Sequence, residues 1–479
     1  MAKEHVHLIG IGGTGMTALA GLLSESGCRV TGSDHALYPP TSTVLEELGL
    51  EVFTGFDADH LRPVPDLVVV GNAVRRGNPE AEEVLDRRLP HTSMARLLAE
   101  RFLAGKHSIV VAGTHGKTTK TSMLAWVLYH AGRDPSFMVG GVPLDFGRLY
   151  RLGSGPAFVI EGDEYDTAFF DKGPKFMHYR PDTAIIGTVE FDHADIYRDL
   201  DQVKTTFKRF TNIIPRRGLL IRHDDCETSR EVTAHALSRV ESYGIDAGGW
   251  RAVDIHEVAE GLNFRIERDG RPFADLTLPQ PGVHNVRNAL AVTAAAVEQG
   301  LSADEIVAGL ESFSGVKRRL ELRGDVNGVT VLEDFAHHPT AIVETLGAVR
   351  RRHGDRRICA VFEPRSWSLR RNVFQDRLAG AFGPADVVIL ADVFGMADVP
   401  AEQRLDPQRV VRELIAHGKD ASFVPEVEAI VNRLSDELRP GDVVIVMSNG
   451  GFGGLIDKLL RALEVRAPGA VAGGSDTDR

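Results

Sequence analysis

Seven consecutive residues carry the plainest chemistry in this chain: Gly113-Thr114-His115-Gly116-Lys117-Thr118-Thr119. They follow the apolar run Ile109-Val110-Val111-Ala112 and lead into a helix-like stretch from Ser122 to His130. A buried strand, a glycine turn and a helix start together make a phosphate cradle, in which backbone N–H groups and a lysine face the anion. The usual spacing, G-x-x-x-x-G-K-[ST], asks for glycine at position 111, where the chain has Val111; the loop is a shortened variant beginning at Gly113. It predicts a nucleoside triphosphate ligand, with Lys117 neutralising the terminal phosphates and Thr118 ligating magnesium.

Two acidic segments follow. Glu161-Gly162-Asp163-Glu164-Tyr165-Asp166 places four carboxylates in six residues after the strand-like Phe158-Val159-Ile160. Like charges this dense repel unless a cation binds, so the segment predicts magnesium coordination, led by Glu164. Glu190-Phe191-Asp192-His193-Ala194-Asp195 follows Ile185-Ile186. His193 there is a candidate either for a metal site or for proton transfer. Near the N-terminus, Gly10, Gly12 and Gly15 form G-x-G-x-x-G between Val6–Ile9 and a helical pattern through Leu23. Asp34 follows the next strand at the distance of a ribose-contacting acid, and the combination predicts a nucleotide-diphosphate site.

These groups need strand ends to hold them. Apolar runs at Val6–Ile9, Leu67–Val70, Ser108–Val111, Phe158–Ile160 and Thr183–Ile186 alternate with helical patterns, including Met94–Leu103. Such alternation specifies open parallel sheets, whose sites lie at the carboxyl ends of the strands. Residues 216 to 280, with short alternating strands around Gly218–Ile221 and Leu262–Ile266, predict an antiparallel elaboration. A helix from Asn285 to Glu298 comes next, and strands at Val329–Leu332, Cys359–Phe362, Val387–Leu390 and Val443–Val446 make a further α/β unit. The expected class is α/β in three domains: a Rossmann-like domain at 1–105, a central P-loop ATPase-like domain at 106–316 with a mostly parallel sheet, and a Rossmann-like domain at 317–466. Residues 467–479, rich in Gly, Ala, Ser and Asp, read as a disordered tail.

The 479 residues suffice for about three cores at roughly 150 residues each. A net charge of −12 argues against general nucleic-acid affinity, so phosphate binding must come from local geometry. Cys28, Cys226 and Cys359 are too few and scattered for a disulfide framework or CxxC metal site. With no signal-like N-terminus and no long apolar run, the expectation is a cytoplasmic protein without membrane partners.

The set GTHGKTT (113–119), EGDEYD (161–166), DHAD (192–195), HNVRN (284–288) and EDFAHHPT (333–340) resembles, in order, the Mur ligases, ATP-dependent amide-forming enzymes of peptidoglycan assembly. The resemblance covers all but the tail and is specific as a set. It implies ATP and Mg2+ as cofactors, with Thr118, Glu164 and His193 as metal ligands and Lys117, Glu164 and His193 as catalytic residues. It also implies nucleotide contacts from Gly113–Thr119, an adenine side formed by His284, Asn285 and Asn288, and an arginine reaching ATP, Arg318 or Arg319, with Asp334 and His337 near the phosphates. The GIGGTGM loop, with Gly12, Gly13, Thr14, Gly15 and Met16, and with Asp34 nearby, resembles that of members acting on UDP-N-acetylmuramate. Tyr38–Pro40, Gly71–Ala73, Arg76–Pro79, Phe169–Lys172, Glu363–Ser366 and Met447–Gly454 resemble the branch that joins UDP-N-acetylmuramate to the murein tripeptide L-alanyl-γ-D-glutamyl-meso-diaminopimelate in peptidoglycan recycling. Arg365 and the glycine turn 450–454 are then candidates for gripping the peptide carboxylates.

Three departures stand out. Lys120 occupies a position usually threonine, Thr188 replaces a common asparagine, and Lys208 lies near a lysine that some relatives carbamylate, although a solvated helix face explains it more simply. The rival readings are a UDP-N-acetylmuramate:L-alanine ligase and a nucleotide-binding regulator that has lost catalysis.

Overall fold

The structure is a computed structural model that describes residues 3–35, 37, 41–397 and 399–465. The expected tail at 467–479 and the Tyr38-Pro39-Pro40 motif lie outside the described residues. The chain divides into two compact units between Lys317 and Arg318.

The first unit contains two sheets that position nucleotide-type sites. β1 (His5–Ile9), β2 (Arg29–Asp34), β3 (Glu51–Thr54), β4 (Leu67–Val70) and β5 (His91–Ser93) form a parallel sheet in the order β3-β2-β1-β4-β5. The strand order reverses at β1, which puts a crevice at the carboxyl end of β1, where Gly10 begins its loop. The second sheet contains β6 (His107–Ala112), β7 (Ser136–Met138), β8 (Tyr150–Arg151) and β9 (Ala157–Gly162), with β12 (Thr183–Ile186), β13 (Leu219–His223) and β14 (Arg239–Gly244). Between them in sequence, β10 (Asp166–Ala168) and β11 (Asp171–Pro174) make a separate hairpin. β15 (Trp250–Val258), β16 (Gly261–Arg268) and β17 (Arg271–Leu278) complete a ten-stranded order β17-β16-β15-β14-β13-β12-β6-β9-β7-β8.

The central strands are apolar throughout because both sheet faces are covered. Val110, Ile160 and Ala184 face one buried cluster, whereas Ile109, Val111, Val159 and Ile185 face another. The first of these clusters also holds Leu8, Leu19 and Leu22, so the core runs on past residue 105. Gly21, on the helix Thr14–Glu25, marks the closest approach: a Cβ there would lie 1.9 Å from the Tyr150 ring. One expectation needs correction. Leu219–His223 pairs parallel to Thr183–Ile186 and belongs to the main sheet; the antiparallel pairing is confined to β15, β16 and β17 in this region. A short, mostly buried strand carries no alternation by which sequence could assign its direction.

The second unit holds β18 (Glu321–Val326), β19 (Val329–Asp334), β20 (Ile358–Phe362), β21 (Val387–Leu390), β22 (Asp420–Phe423) and β23 (Val443–Met447). Their order is β18-β19-β23-β20-β21-β22, parallel except for the antiparallel edge strand β18. Asp334, Met447 and Phe362 are in register, so Phe335, Ser448 and Glu363 emerge together at one sheet edge.

Candidate active site

Register explains why the first three motifs meet. Ala112 pairs with Gly162 on one side and with Ile186 on the other, so the glycine loop, the acidic segment and the Gly187–Asp195 segment leave adjacent strands at one level. Gly113 (φ +124°) and Gly116 (φ +71°) take backbone conformations that L side chains rarely adopt. Gly116 immediately precedes the helix Lys117–His130, whose residues Thr118 to Ala125 are all buried. Thr114 N–H donates to the Thr188 carbonyl at 2.6 Å, and Thr114 Oγ1 accepts from Glu190 N–H at 2.9 Å. His115 Nε2 lies 3.0 Å from Glu190 Oε2.

Lys117 Nζ donates to the Gly113 carbonyl at 2.7 Å and to Glu164 Oε2 and Oε1 at 2.9 and 3.1 Å. His193 Nε2 lies 3.1 Å from the same Glu164 Oε1. Glu164, only 3% exposed, is therefore held between a lysine and a histidine. Tyr197 OH donates to the Glu164 carbonyl at 2.6 Å, and the Tyr165 ring meets the His193 ring edge-on at 4.6 Å. His193 has φ +54°, a left-handed conformation that aims its ring inward, and its carbonyl accepts from Ile196 and Tyr197 N–H, both at 3.0 Å.

The surroundings of each of the three favour its charged form. Burial opposes the ammonium of Lys117, but Glu164, Asp163 and Glu161 outweigh it and raise its pKa above the ordinary lysine value. Burial likewise opposes the Glu164 carboxylate, while Lys117 and His193 pull its pKa below the usual range. For His193, burial lowers and Glu164 raises, with a net rise.

Lysines also answer the charge of the acidic segment. Lys117 meets Glu164, Lys175 Nζ meets Asp163 Oδ2 at 2.5 Å, and Lys172 Nζ meets Asp166 Oδ2 at 2.5 Å. Glu161 Oε1 accepts Gly140 N–H at 2.6 Å. Lys172 and Lys175 were the available signal, since they follow within a hairpin's length of the acids. The donor set nevertheless fits a divalent cation. Glu164 already carries a positive group on both oxygens, and the Thr118 hydroxyl and His193 imidazole belong to adjacent strand-end segments.

Beneath the loop, Lys120 Nζ donates to Asn288 Oδ1 at 3.1 Å, and Asn288 Nδ2 donates to Asn285 Oδ1 at 3.0 Å. The structure thus brings Asn285 and Asn288 to the glycine loop, with His284 in the same helical turn of Val283–Glu298. Thr188 Oγ1 is buried and makes no hydrogen bond among the described residues. Lys208 is half-exposed and bonded to Glu231 Oε1 at 2.9 Å on a solvated helix face.

At the other loop, Gly10 (φ +84°) opens the turn, and Gly12 N–H donates to Asp34 Oδ2 at 2.8 Å. Gly13, Thr14, Gly15 and Met16 form the entry to the helix Thr14–Glu25. A Cβ at Gly15 would lie 2.9 Å from Met94 Sδ, so glycine permits close helix packing there. Asp34 braces its own loop, a role that spacing alone did not reveal.

In the second unit, Arg318 Nε meets Glu333 Oε1 at 2.7 Å, and Arg318 Nη2 donates to the Ser448 and Gly450 carbonyls at 2.8 and 2.5 Å. Arg318 thereby fastens the glycine turn, while Arg319 rests 4.9 Å over the Phe335 ring. Asp334 accepts from Leu320 N–H at 2.8 Å and Ala336 N–H at 2.7 Å. His337 Nδ1 lies 3.0 Å from the Phe335 carbonyl, and His338 caps the helix Pro339–His353. Arg365 stacks 3.5 Å over the exposed Phe394 ring, with Nη1 3.7 Å from Glu363 Oε2. Any Cβ at Gly450 would fall 2.2 Å from Arg365 Nε, so the two predicted acceptor elements do meet.

Three family models match in succession: "Mur ligase family, catalytic domain" over residues 5–105, "Mur ligase middle domain" over 111–296 and "Mur ligase, glutamate ligase domain" over 318–450. The chain belongs to the Mur ligase family. This Mur ligase is 41% identical, over 97% of its length and 99% of the relative's, to the UDP-N-acetylmuramate–L-alanyl-γ-D-glutamyl-meso-2,6-diaminoheptandioate ligase of Escherichia coli K12. It is 34% identical to a UDP-N-acetylmuramate–L-alanine ligase of Geotalea uraniireducens, over 96% of this chain and 98% of that one. A crystal structure of a murein peptide ligase from Psychrobacter arcticus matches with a TM-score of 0.74 at 39% identity, covering 97% of this chain and 99% of that one. Among the described residues no helix is long and apolar enough to cross a membrane.

Proposed function

We propose that this Mur ligase joins the carboxylate of UDP-N-acetylmuramate to the amine of L-alanyl-γ-D-glutamyl-meso-diaminopimelate at the expense of ATP. The observation that carries the acceptor is the nearly full-length likeness to a tripeptide ligase, at higher identity than to the L-alanine ligase. An amide does not form readily from a carboxylate and an amine in water. In the proposed reaction a muramate carboxylate oxygen attacks the γ-phosphorus and ADP leaves. The peptide amine then attacks the acyl carbon, phosphate departs, and the amine loses a proton.

The chain's part is positioning and charge neutralisation. Backbone N–H groups of Gly113–Thr119 cradle the phosphates, and Lys117 exchanges Glu164 for the transferring phosphoryl oxygens. Thr118, Glu164 and His193 are the residues that would hold Mg2+, which when bound would neutralise phosphate charge. Gly12–Met16 and Asp34 shape the UDP site. Arg365, braced by Phe394 and Gly450, receives a peptide carboxylate.

A phosphate-release assay with UDP-N-acetylmuramate and ATP, run with L-alanine, a dipeptide or the tripeptide, tests the reading. The tripeptide should be preferred by at least tenfold in kcat/KM; a preference for L-alanine would overturn it. Arg365→Ala should raise the tripeptide KM far more than the ATP KM, and equal rises would remove Arg365 from the acceptor site.

A further inference from the structure

Lys120 is a buried cation one helical turn beyond Lys117, 3% exposed, at a position where resemblance leads one to expect threonine. Its ammonium donates to the His115 carbonyl at 3.2 Å, inside the phosphate loop, and to Asn288 Oδ1 at 3.1 Å, on the helix Val283–Glu298. The contacts continue in one direction: Asn288 Nδ2 to Asn285 Oδ1 at 3.0 Å, and Asn285 Nδ2 to the Pro281 carbonyl at 2.8 Å.

An ammonium donates and cannot accept, so only the oxygen of the Asn288 amide can face it. That choice turns Asn288 Nδ2 toward Asn285, which must answer with its own oxygen. At the far end the Pro281 carbonyl, which only accepts, asks for the same order, so the relay is fixed at both ends and the ammonium closes it at the phosphate loop. The backbone closes around the ammonium on two sides. A Cβ at Gly116 would lie 2.7 Å from Lys120 Nζ and 2.8 Å from Asn288 Oδ1, and one at Gly187 would lie 3.3 Å from Nζ.

We propose that Lys120 is a positioning residue for the nucleotide. It ties the phosphate loop to the first turns of the Val283–Glu298 helix and, with the Pro281 carbonyl at the far end, holds the amides of Asn288 and Asn285 in one orientation. Each Nδ2 then keeps one N–H to offer an acceptor atom of the nucleotide. The inference deepens the ATP reading above and rests on it.

The test uses the full chain with Mg2+ and ATP, measuring ATP affinity by calorimetry, kcat, the KM of each substrate, and Tm. Lys120→Met should weaken ATP binding and raise the ATP KM by roughly tenfold, the scale of one hydrogen bond to a charged group. The kcat should stay within about twofold and the UDP-N-acetylmuramate KM should not move, as the coupling runs through the nucleotide alone. Lys120→Gln, which keeps a donor, should recover part of the loss. In an Asn288→Ala background the effect of Lys120→Met should shrink below about twofold, because the relay it orders is already broken.

Unchanged ATP affinity, parallel shifts in every KM, or a full Lys120→Met effect in the Asn288→Ala background would overturn the proposal. If Lys120→Met does not fold, Lys120→Gln and Gly187→Ala, which presses a methyl on the ammonium, carry the same comparison. A wild-type chain that fails to bind ATP would sink the underlying reading instead, so the two failures are distinguishable.

Discussion

The loops Gly10–Gly15 and Gly113–Thr119 each join a buried parallel strand to a helix, yet different partners hold them. At the first, an acid braces the backbone: Asp34 Oδ2 accepts Gly12 N–H at 2.8 Å. At the second, a lysine from the loop's own helix spans from the Gly113 carbonyl to Glu164, which His193 also approaches. One backbone device therefore serves two purposes. Under the proposed function the first loop shapes a surface for binding, whereas the second holds a lysine that exchanges a carboxylate for phosphate.

The largest expected separation between the two is Lys117→Met. It should lower kcat by on the order of 10³ in the phosphate-release assay while leaving UDP-N-acetylmuramate affinity near wild type. A small effect would mean that the second loop only binds, like the first. Next comes acid sensitivity. Burial of His223, reinforced by Arg287 and Lys120 despite Asp225, lowers its pKa to about 4, so the folded state favours the neutral ring. This contribution is complete above the unfolded histidine value near 6.5 and lost as pH falls toward 4, up to about 3 kcal/mol. Urea midpoints at pH 7.5 and 5 should therefore converge on substituting His223→Phe, and an unaltered difference would remove His223 as the cause.

Gly116→Ala places a Cβ on Lys120 Nζ and Asn288 Oδ1 in a left-handed position. It should cost about 1–3 kcal/mol and raise the ATP KM, not that of UDP-N-acetylmuramate. Gly12→Ala, whose Cβ would lie 2.4 Å from Leu37 Cδ2, should do the reverse. Asp34→Asn is the gentlest probe, weakening one charge-assisted bond by about 1 kcal/mol, or roughly fivefold in UDP-N-acetylmuramate KM. A larger loss would show that Asp34 touches the ligand as well as the loop.

Much of the fold was legible because its signals are local. Apolar runs such as Thr183–Ile186 and Val387–Leu390 coincide with strands, and helices begin where glycine loops end. What periodicity could not reveal was pairing, so the parallel placement of Leu219–His223 went unread. In the site, the residue types at Lys117, Glu164 and His193 announced phosphate chemistry. The pairing of Asp163, Glu164 and Asp166 with Lys175, Lys117 and Lys172 went unread, although Lys172 and Lys175 follow closely in sequence, because a turn of the chain brings those two back to the acids.

Arg318 and Arg319 make the same point, being adjacent in sequence and sharing one aromatic neighbour, Phe335. Their guanidinium groups lie over that ring at 5.1 and 4.9 Å, and Arg318 is also fastened to Glu333 and two carbonyls. The sequence by itself determined the strand–loop–helix units, the glycine loop of Gly113–Thr119 and the family, since these depend on residue type and short-range order. Only the tertiary structure decided that Asp34 braces its loop, that lysines meet the acidic segment, and that Lys120 reaches the Asn288 amide 168 positions away. Such contacts are set by register across a sheet and by which side chain can donate or accept, and neither is written in spacing along the chain.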